Sequence, residues 1–167
     1  IIIIIIIIII LASNSPSLRR SAVVWQREFA KSIESVNLPI ATYANGALLG
    51  DARVYPQNGT VAFGSNHVGW AFTLERFAFM YARKFQLDRA KLMERLWGDH
   101  FFDAASKKWR HTSHAGADGT TLQRAFNQFV LRPIQQLYDS IMDDRREQYT
   151  KMIAALNIKL GSTDHHL

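Results

Sequence analysis

The 167-residue sequence has no cysteine and no apolar run long enough to cross a membrane. The lack of cysteine excludes a disulfide scaffold and a thiolate metal site, and it fits a reducing compartment. The longest apolar run is Ile1 to Ala12, whereas a membrane-spanning helix needs about 20 residues. No basic segment precedes that run, as one would in a signal peptide. The sequence therefore predicts a soluble, cytoplasmic chain with no membrane partner.

The first ten residues are all isoleucine. A real uncharged β-branched homopolymer of this kind would be prone to aggregation, so we interpret it as an artefact of translation or structure building. The polar stretch "SNSPSLRR" that follows resembles a linker. Residues 1–21 are therefore left out of the fold prediction as low-complexity or disordered sequence.

The remaining composition is that of one globular domain, or of one domain plus a fragment. Hydrophobic residues make up 48% and charged residues 20%, which is the usual balance for a folded chain. The formal net charge of +6 favours a partner rich in phosphate, such as RNA, without requiring one.

Helical spacing of Trp25, Phe29 and Ile33 predicts a first helix that ends near Asn37 and Pro39. Residues 40–43 are then expected to begin a strand, and "ANG" at 44–46 is expected to form a turn. The Asn-Gly pair within 56–59 predicts a β-hairpin, with strands on either side of it and the second strand stopping at Gly64.

The second half of the sequence predicts more helix than strand. Apolar spacing indicates an amphipathic helix over 71–85 and a short helix with Asp88 at its N-cap and Gly98 at its end. Two short strands are predicted around residues 103–106, and an exposed loop is predicted over 111–121. The fold class is therefore α+β and rich in helix.

Two further helices are predicted towards the C-terminus. One is capped by Thr121 and should be kinked or split by Pro133. Its apolar stripe, which includes Phe126, Phe129 and Leu137, is expected to face the core. The other helix runs from about Arg146 to Leu156, and residues 161–167 form a polar tail.

The segment "GSNHVG", residues 64–69, has the glycine spacing of a phosphate-binding loop. That motif continues with lysine and then serine or threonine, whereas Trp70 and Ala71 stand at those places and exclude it. Ser65 and His67 are two residues apart and lack the surroundings of a nucleophile elbow, so no catalytic residue is assigned.

Three histidines and a basic segment are the other candidates for chemistry. His100, His111 and His114 lie in or near the polar loop without a placed carboxylate, which favours surface histidines over a metal site. The segment 83–110 carries eight basic and four acidic residues, a surplus of four. A solvated face is the simpler explanation, and contact with RNA or an acidic protein is the alternative. Trp97 and Trp109 are expected in the core.

Long segments of the sequence resemble the elongation factor 2 family of translational GTPases. The likeness runs through "ESVNLPIATYANGALLGDARVYPQNGTVAFGSNHVGWAFTLERFAFMYARKF", "KLMERLWGDHFFDAASKKW" and "RAFNQFVLRPIQQLYDSIM", in the same order and spacing as in the family. It covers roughly residues 24 to 160.

The resemblance implies that 22–69 is the end of a P-loop GTPase domain of α/β type and that 70–160 is its inserted, α-rich subdomain. It also implies that Ser65, Asn66 and His67 form the loop that contacts guanine. The family usually has Ser-Gly-Leu there, so Asn66 and His67 depart from its pattern. Asparagine tolerates the positive φ that glycine would adopt better than most residues do.

The resemblance further implies a parent that uses GTP and Mg²⁺ and binds the ribosome through ribosomal RNA and stalk proteins. The phosphate-binding loop, D-x-x-G and N-K-x-D are absent from this sequence. We therefore expect no bound GTP, no metal and no DNA, and a monomer. A spliceosomal or ribosome-assembly GTPase on the same scaffold, and a non-catalytic module that binds ribosomal protein or RNA, are the alternatives.

Overall fold

The computed structural model describes residues 22–43, 51–65, 70–114, 119–156 and 158. The chain is a helix-rich α+β protein with two small antiparallel sheets, as the composition and periodicity predicted at this coarse level. It divides into two compact units, one ending at Val130 and the other beginning at Leu131. Among the described residues, no helix combines the length and apolarity that crossing a membrane requires.

Helix α1 spans Ala22–Tyr43 and buries Trp25, Phe29 and Ile33, the residues whose spacing predicted it. The predicted end near Pro39 is wrong, and so is the strand over 40–43, because the helix continues through both. Pro39 cannot donate to the carbonyl of Ser35, but Ser35 is exposed and its carbonyl can bind water instead. Helix α1 thus continues through Pro39, although proline locally favours the end of a helix.

The tight turn predicted at residues 56–59 is present, but the hairpin predicted around it is wrong. Residues 51–55 form no strand, and Pro56–Asn58 form a short 3₁₀ helix. Gly59 follows with φ of +73°, the left-handed conformation that the Asn-Gly signal indicates. Thr60 Oγ1 accepts from the Tyr55 N–H at 2.8 Å and lies 3.0 Å from its carbonyl oxygen. These contacts use the Tyr55 backbone groups that strand pairing would need.

The first hairpin instead forms later in the sequence, between residues 62 and 73. Strand β1, Ala62–Ser65, pairs antiparallel with β2, Trp70–Thr73, in a register that sets Phe63 opposite Phe72. Helix α2, Leu74–Phe85, follows β2 directly, so the helix predicted from residue 71 begins three residues later. Ser65, the first of the three candidate guanine-contacting residues, is at the end of β1 that lies away from α2.

Helix α3 and the second hairpin match their predictions closely. Helix α3 spans Arg89–Arg95, and the Asp88 carboxylate accepts the Lys91 N–H at 2.8 Å, as an N-cap does. Strands β3, Phe101–Asp103, and β4, Lys108–Arg110, pair antiparallel. Between them the buried Asp103 carboxylate accepts hydrogen bonds from the Ser106 hydroxyl at 2.6 Å and the Ala105 N–H at 3.0 Å. This carboxylate therefore closes the turn.

The core of the first unit is centred on Phe63. Its ring centroid lies 5.1 Å from that of Phe29, 5.0 Å from that of Phe126 and 5.4 Å from that of Trp97. Phe63, Phe29 and Phe126 are fully buried. Residues on both sides of the Gly69–Trp70 step thus contribute to one aromatic core, and the family-based division at that step stays a prediction.

The helix predicted from Thr121 begins instead at about Ala125, because residues 121–123 form no helix. It changes to π-helical geometry over Asn127–Leu131 and continues as α4, Arg132–Met142, with Pro133 in its first turn. The helix is not split at Pro133, because helical residues run without a gap from 125 to 142, and the predicted kink stays a prediction. Helix α5 spans Arg146–Ala155, close to the predicted range. Phe126 is buried, as expected of the stripe, whereas Phe129 and Leu137 are half-buried.

Candidate functional site: the hairpin loop and the basic aromatic face

The candidate guanine loop begins at the end of strand β1. Ser65 is the last residue of that strand and pairs with Trp70, and Gly64 pairs with Ala71. The absence of the other nucleotide-binding motifs predicts an exposed loop from Gly64 to Gly69, but Gly64 is buried, so this prediction is wrong at that position. Asn66 and His67 lie outside the described residues. Of the three predicted site residues, the structure thus describes only Ser65, which lies at the end of the antiparallel β1–β2 pair.

The local sequence explains why this strand is firmly held. Val61, which directly precedes β1, and Phe63 within it are both fully buried, as alternation of side chains along an extended segment allows. On the paired strand, the Phe72 ring stacks 5.6 Å from Phe63 and meets the Phe77 ring of α2 at 5.1 Å. The aromatic core therefore anchors the strand on which the loop is mounted.

Of the segment 64–69, the structure describes Gly64 and Ser65. Gly64 is buried rather than open to a purine, and Ser65 is engaged in the β1–β2 pairing. Among the described residues there is no group of three or more histidines, aspartates or glutamates that could hold a metal ion. No chemical step is therefore assigned to a nucleotide on this chain.

The basic segment 83–110 forms a face in which cations lie over aromatic rings. The Arg95 guanidinium lies 5.2 Å from the centroid of Trp109, and the Lys84 ammonium lies 5.5 Å from that of Phe85. Such stacking orders a cation and keeps it accessible to a partner. We use the name basic aromatic face for the surface of α3 and the second hairpin that carries Arg95, Lys107, Lys108, Trp109 and Arg110. Within β4, Lys108 and Arg110 lie on the opposite side of the strand from Trp109.

The acidic residues of the same segment are largely engaged with other groups. Asp103 is buried in the turn of the second hairpin, and Asp88 caps α3. Asp99 accepts a hydrogen bond from the Nε of Arg124 at 2.8 Å. On the basic face itself, the Nε of Arg110 is buried and has no hydrogen-bond partner among the described residues. The basic side chains of the segment thus lie at the end of α2, on α3 and on the second hairpin.

The two tryptophans of this region, Trp97 and Trp109, were both expected in the core and are half-buried. Trp97 packs edge-on against Phe126 at 4.9 Å, which confirms its place in the core. Trp109 packs against Phe102 at 5.2 Å and against Phe129 at 6.1 Å. Arg95 also covers part of Trp109, so this ring supports both the core and the basic face.

Sequence reasoning missed the proximity of His100 and His111. Their ring centroids lie 5.0 Å apart, whereas His114 is exposed in the loop beyond. Burial lowers the pKa of His100, and the positive charges of His111 and Arg95 lower it further. The signal was present in the predicted strand pair, because extending that hairpin by one position sets residue 100 opposite residue 111.

Comparison with known protein families adds no assignment to this geometry, because no protein-family model matches the chain.

Proposed function

We propose that this chain is part of a translational GTPase of the elongation factor 2 family. It would comprise the end of the GTP-binding domain and most of the inserted subdomain, within a cytoplasmic parent that couples GTP hydrolysis to movement on the ribosome. The observation that carries the proposal is the ordered set of long sequence segments between residues 24 and 160.

The arrangement of these segments supports the proposal in physical terms. A strand that ends in small polar residues and leads into a hairpin loop is suited to presenting backbone N–H groups to a base edge. A carbonyl at the purine 6-position accepts from such a donor, whereas the amine of adenine does not. Ser65, Asn66 and His67 are the residues to which we assign this role.

The first experiment is to sequence the transcript upstream of the codon for Ile1. We expect an open frame that encodes a phosphate-binding loop, D-x-x-G and N-K-x-D, in that order. The restored protein should hydrolyse GTP, whereas the present chain should show no binding of a fluorescent GTP analogue with Mg²⁺. A restored protein without GTPase activity would contradict the proposal.

The loop assignment has its own test in the restored protein. Replacing Asn66→Gly and His67→Leu returns the loop to the usual family sequence, and we expect GTP affinity to rise. Lys151→Ala, a change at an exposed residue of helix α5, serves as the matched control. Equal GTP affinity in the parent and the double variant would argue against the assigned role of the loop.

A non-catalytic binding module is the second candidate, and the basic aromatic face supports it. Arg95, Lys108 and Arg110 offer charge for phosphate groups, and Trp109 adds an aromatic surface. Residues 70–160 alone would lose Phe29 and Phe63 from the core, so the experiment requires the full chain. We expect salt-sensitive sedimentation with ribosomes, and no binding at low salt would exclude this function.

The binding residues can be separated from general charge effects. The double variant Lys107→Gln/Lys108→Gln should weaken ribosome binding, because both side chains lie exposed on the basic aromatic face. The control, Lys31→Gln/Lys151→Gln, removes the same charge from exposed sites on α1 and α5. Equal weakening in both variants would indicate non-specific attraction by net charge.

A further inference from the structure

The imidazoles of His100 and His111 occupy directly opposed positions at the open end of the second hairpin. The ladder pairs Asp103 with Lys108, Phe102 with Trp109 and Phe101 with Arg110, so the next pair in register is His100 with His111. Side chains alternate between the two faces of a strand, so this pair shares a face with Phe102 and Trp109. The hairpin thus brings together two histidines that are eleven positions apart in the chain.

The backbone beneath the pair is held on both sides. The Ala125 N–H donates to the carbonyl oxygen of His100 at 2.7 Å, and Phe101 forms a β-bridge with Arg124. On the side-chain face, Trp109 packs against Phe102. The strand that carries His100 is consequently held by residues 124–125 on one side and by β4 on the other.

The separation of the rings fits joint coordination of one cation. A metal–nitrogen bond of about 2.0–2.1 Å in a tetrahedral site implies imidazole centroids roughly 5.1–5.3 Å apart. The observed separation of 5.0 Å, with the ring planes inclined by 62°, is just below that range. Stacked rings would be nearly parallel, which these are not.

We propose that His100 and His111 form a two-histidine site for a divalent transition-metal cation such as Zn²⁺, Ni²⁺ or Cu²⁺. Neutral imidazole is a preferred ligand of these borderline ions. Water completes the coordination, because His111 is exposed. A site with two protein ligands of this kind binds its cation reversibly.

The electrostatic surroundings are compatible with a bound cation. His100 is half-buried, and Arg95 is a positive charge that acts on its ring. Glu94 and Asp99 act on the same ring as negative charges, and they oppose the positive charge of Arg95. The neighbouring charges therefore do not exclude a divalent ion.

The test is a titration of the full chain with Zn²⁺ alone. Isothermal calorimetry measures the binding, in a buffer that does not bind metal. His165 and His166 are adjacent in the sequence and could bind metal themselves, so all measurements use the His165→Ala/His166→Ala background. We expect one Zn²⁺ per chain. His100→Ala and His111→Ala should each weaken binding about tenfold or more, because losing one ligand removes the chelate.

His114→Ala is the matched control, since it removes an exposed histidine from the adjoining loop. We expect it to bind Zn²⁺ as the background chain does. The His111→Ala change should leave the fold intact because His111 is exposed, and circular dichroism verifies this. Unchanged affinity in His111→Ala, or no measurable binding by the background chain, would overturn the proposal.

A second measurement reports the site without calorimetry. Zn²⁺ that binds the folded hairpin raises the unfolding temperature, and the increase grows with metal concentration. We expect this increase in the background chain and in His114→Ala but not in His111→Ala. An equal increase in all three chains would place the metal elsewhere and overturn the two-histidine site.

Discussion

The phenol of Tyr81 donates a hydrogen bond to the carbonyl oxygen of Phe129 at 2.8 Å. Phe129 lies four residues before Pro133, which has no N–H to donate back along the helix. The Tyr81 hydroxyl thus donates to a carbonyl inside the π-helical segment Asn127–Leu131. Two parts of the first unit, α2 and the start of this helix, are joined by that bond.

Alkaline pH should therefore weaken the fold through Tyr81. Burial raises the pKa of Tyr81 to about 12, whereas an unfolded tyrosine ionises near 10. The neutral phenol is favoured in the folded state, so its contribution is complete below about pH 10 and is lost as pH rises towards 12. Urea unfolding between pH 9 and 12 measures this loss, and phenolate absorbance measures the ionisation itself.

Tyr81→Phe is the control for this prediction. The variant lacks the hydroxyl and should show a smaller fall in stability over the same pH range, since the lysines titrate equally in both chains. It should also be less stable at neutral pH by about 1 kcal/mol, because the Phe129 carbonyl loses its donor. Identical alkaline profiles for the two chains would exclude Tyr81 as the group responsible.

Patterns in the sequence were sufficient to predict the helices and strands that are stabilised by interactions between residues close in sequence. Helix α3 has its N-cap at Asp88, and the second hairpin has its strands near the predicted positions. Both depend on interactions between residues close in sequence. The helix-rich α+β class follows from such elements together.

The errors fall where distant residues override local preference. Asn-Gly at 58–59 does produce a turn, but the Val54 and Tyr55 backbone groups are taken by the side chains of Asn37 and Thr60. One of these partners is 17 positions away in the sequence. The His100–His111 proximity was missed for a related reason, because it required exact strand register in addition to strand positions.

Loss of the Asn37 side chain should destabilise the first unit substantially. Its Nδ2 donates to the Val54 carbonyl oxygen at 2.9 Å, and its Oδ1 accepts the Val54 N–H at 2.8 Å. Val54 is buried, so Asn37→Ala leaves two backbone groups without partners, at a cost of about 2 kcal/mol. Urea unfolding measures the change. Glu34→Ala, an exposed position on the same helix, is the control and should be nearly neutral.

Phe63→Ala should be the most damaging single change in the aromatic core. The ring is fully buried and meets Phe29, Phe126 and Trp97 within 5.4 Å. Removing a buried phenylalanine costs about 3–5 kcal/mol, which is comparable to the total stability of many domains. Near-ultraviolet circular dichroism should therefore lose its aromatic signal. Phe79→Ala is the matched control, and since Phe79 is 49% exposed it should keep that signal.

Gly59→Ala isolates the cost of backbone conformation. The residue has φ of +73°, and no atom lies within 4 Å of the position that a Cβ would occupy. The expected loss of about 1 kcal/mol therefore comes from backbone strain alone. Gly59→Asn should lose less, because asparagine tolerates the left-handed region better than alanine does. If thermal unfolding shows the same loss of stability for Gly59→Ala and Gly59→Asn, the loss would come from adding a side chain and not from the positive φ.

Pro39→Ala distinguishes a continuous helix α1 from one that stops before the proline. Pro39 lies inside Ala22–Tyr43, where it removes one backbone hydrogen bond and crowds the preceding turn. Alanine restores the donor to the Ser35 carbonyl, so we expect the unfolding free energy to rise by about 1 kcal/mol or more. Slower amide exchange at residues 39–43 should accompany the gain. If the helix instead ended near Asn37, the substitution would free a constrained turn, and stability would stay the same or fall.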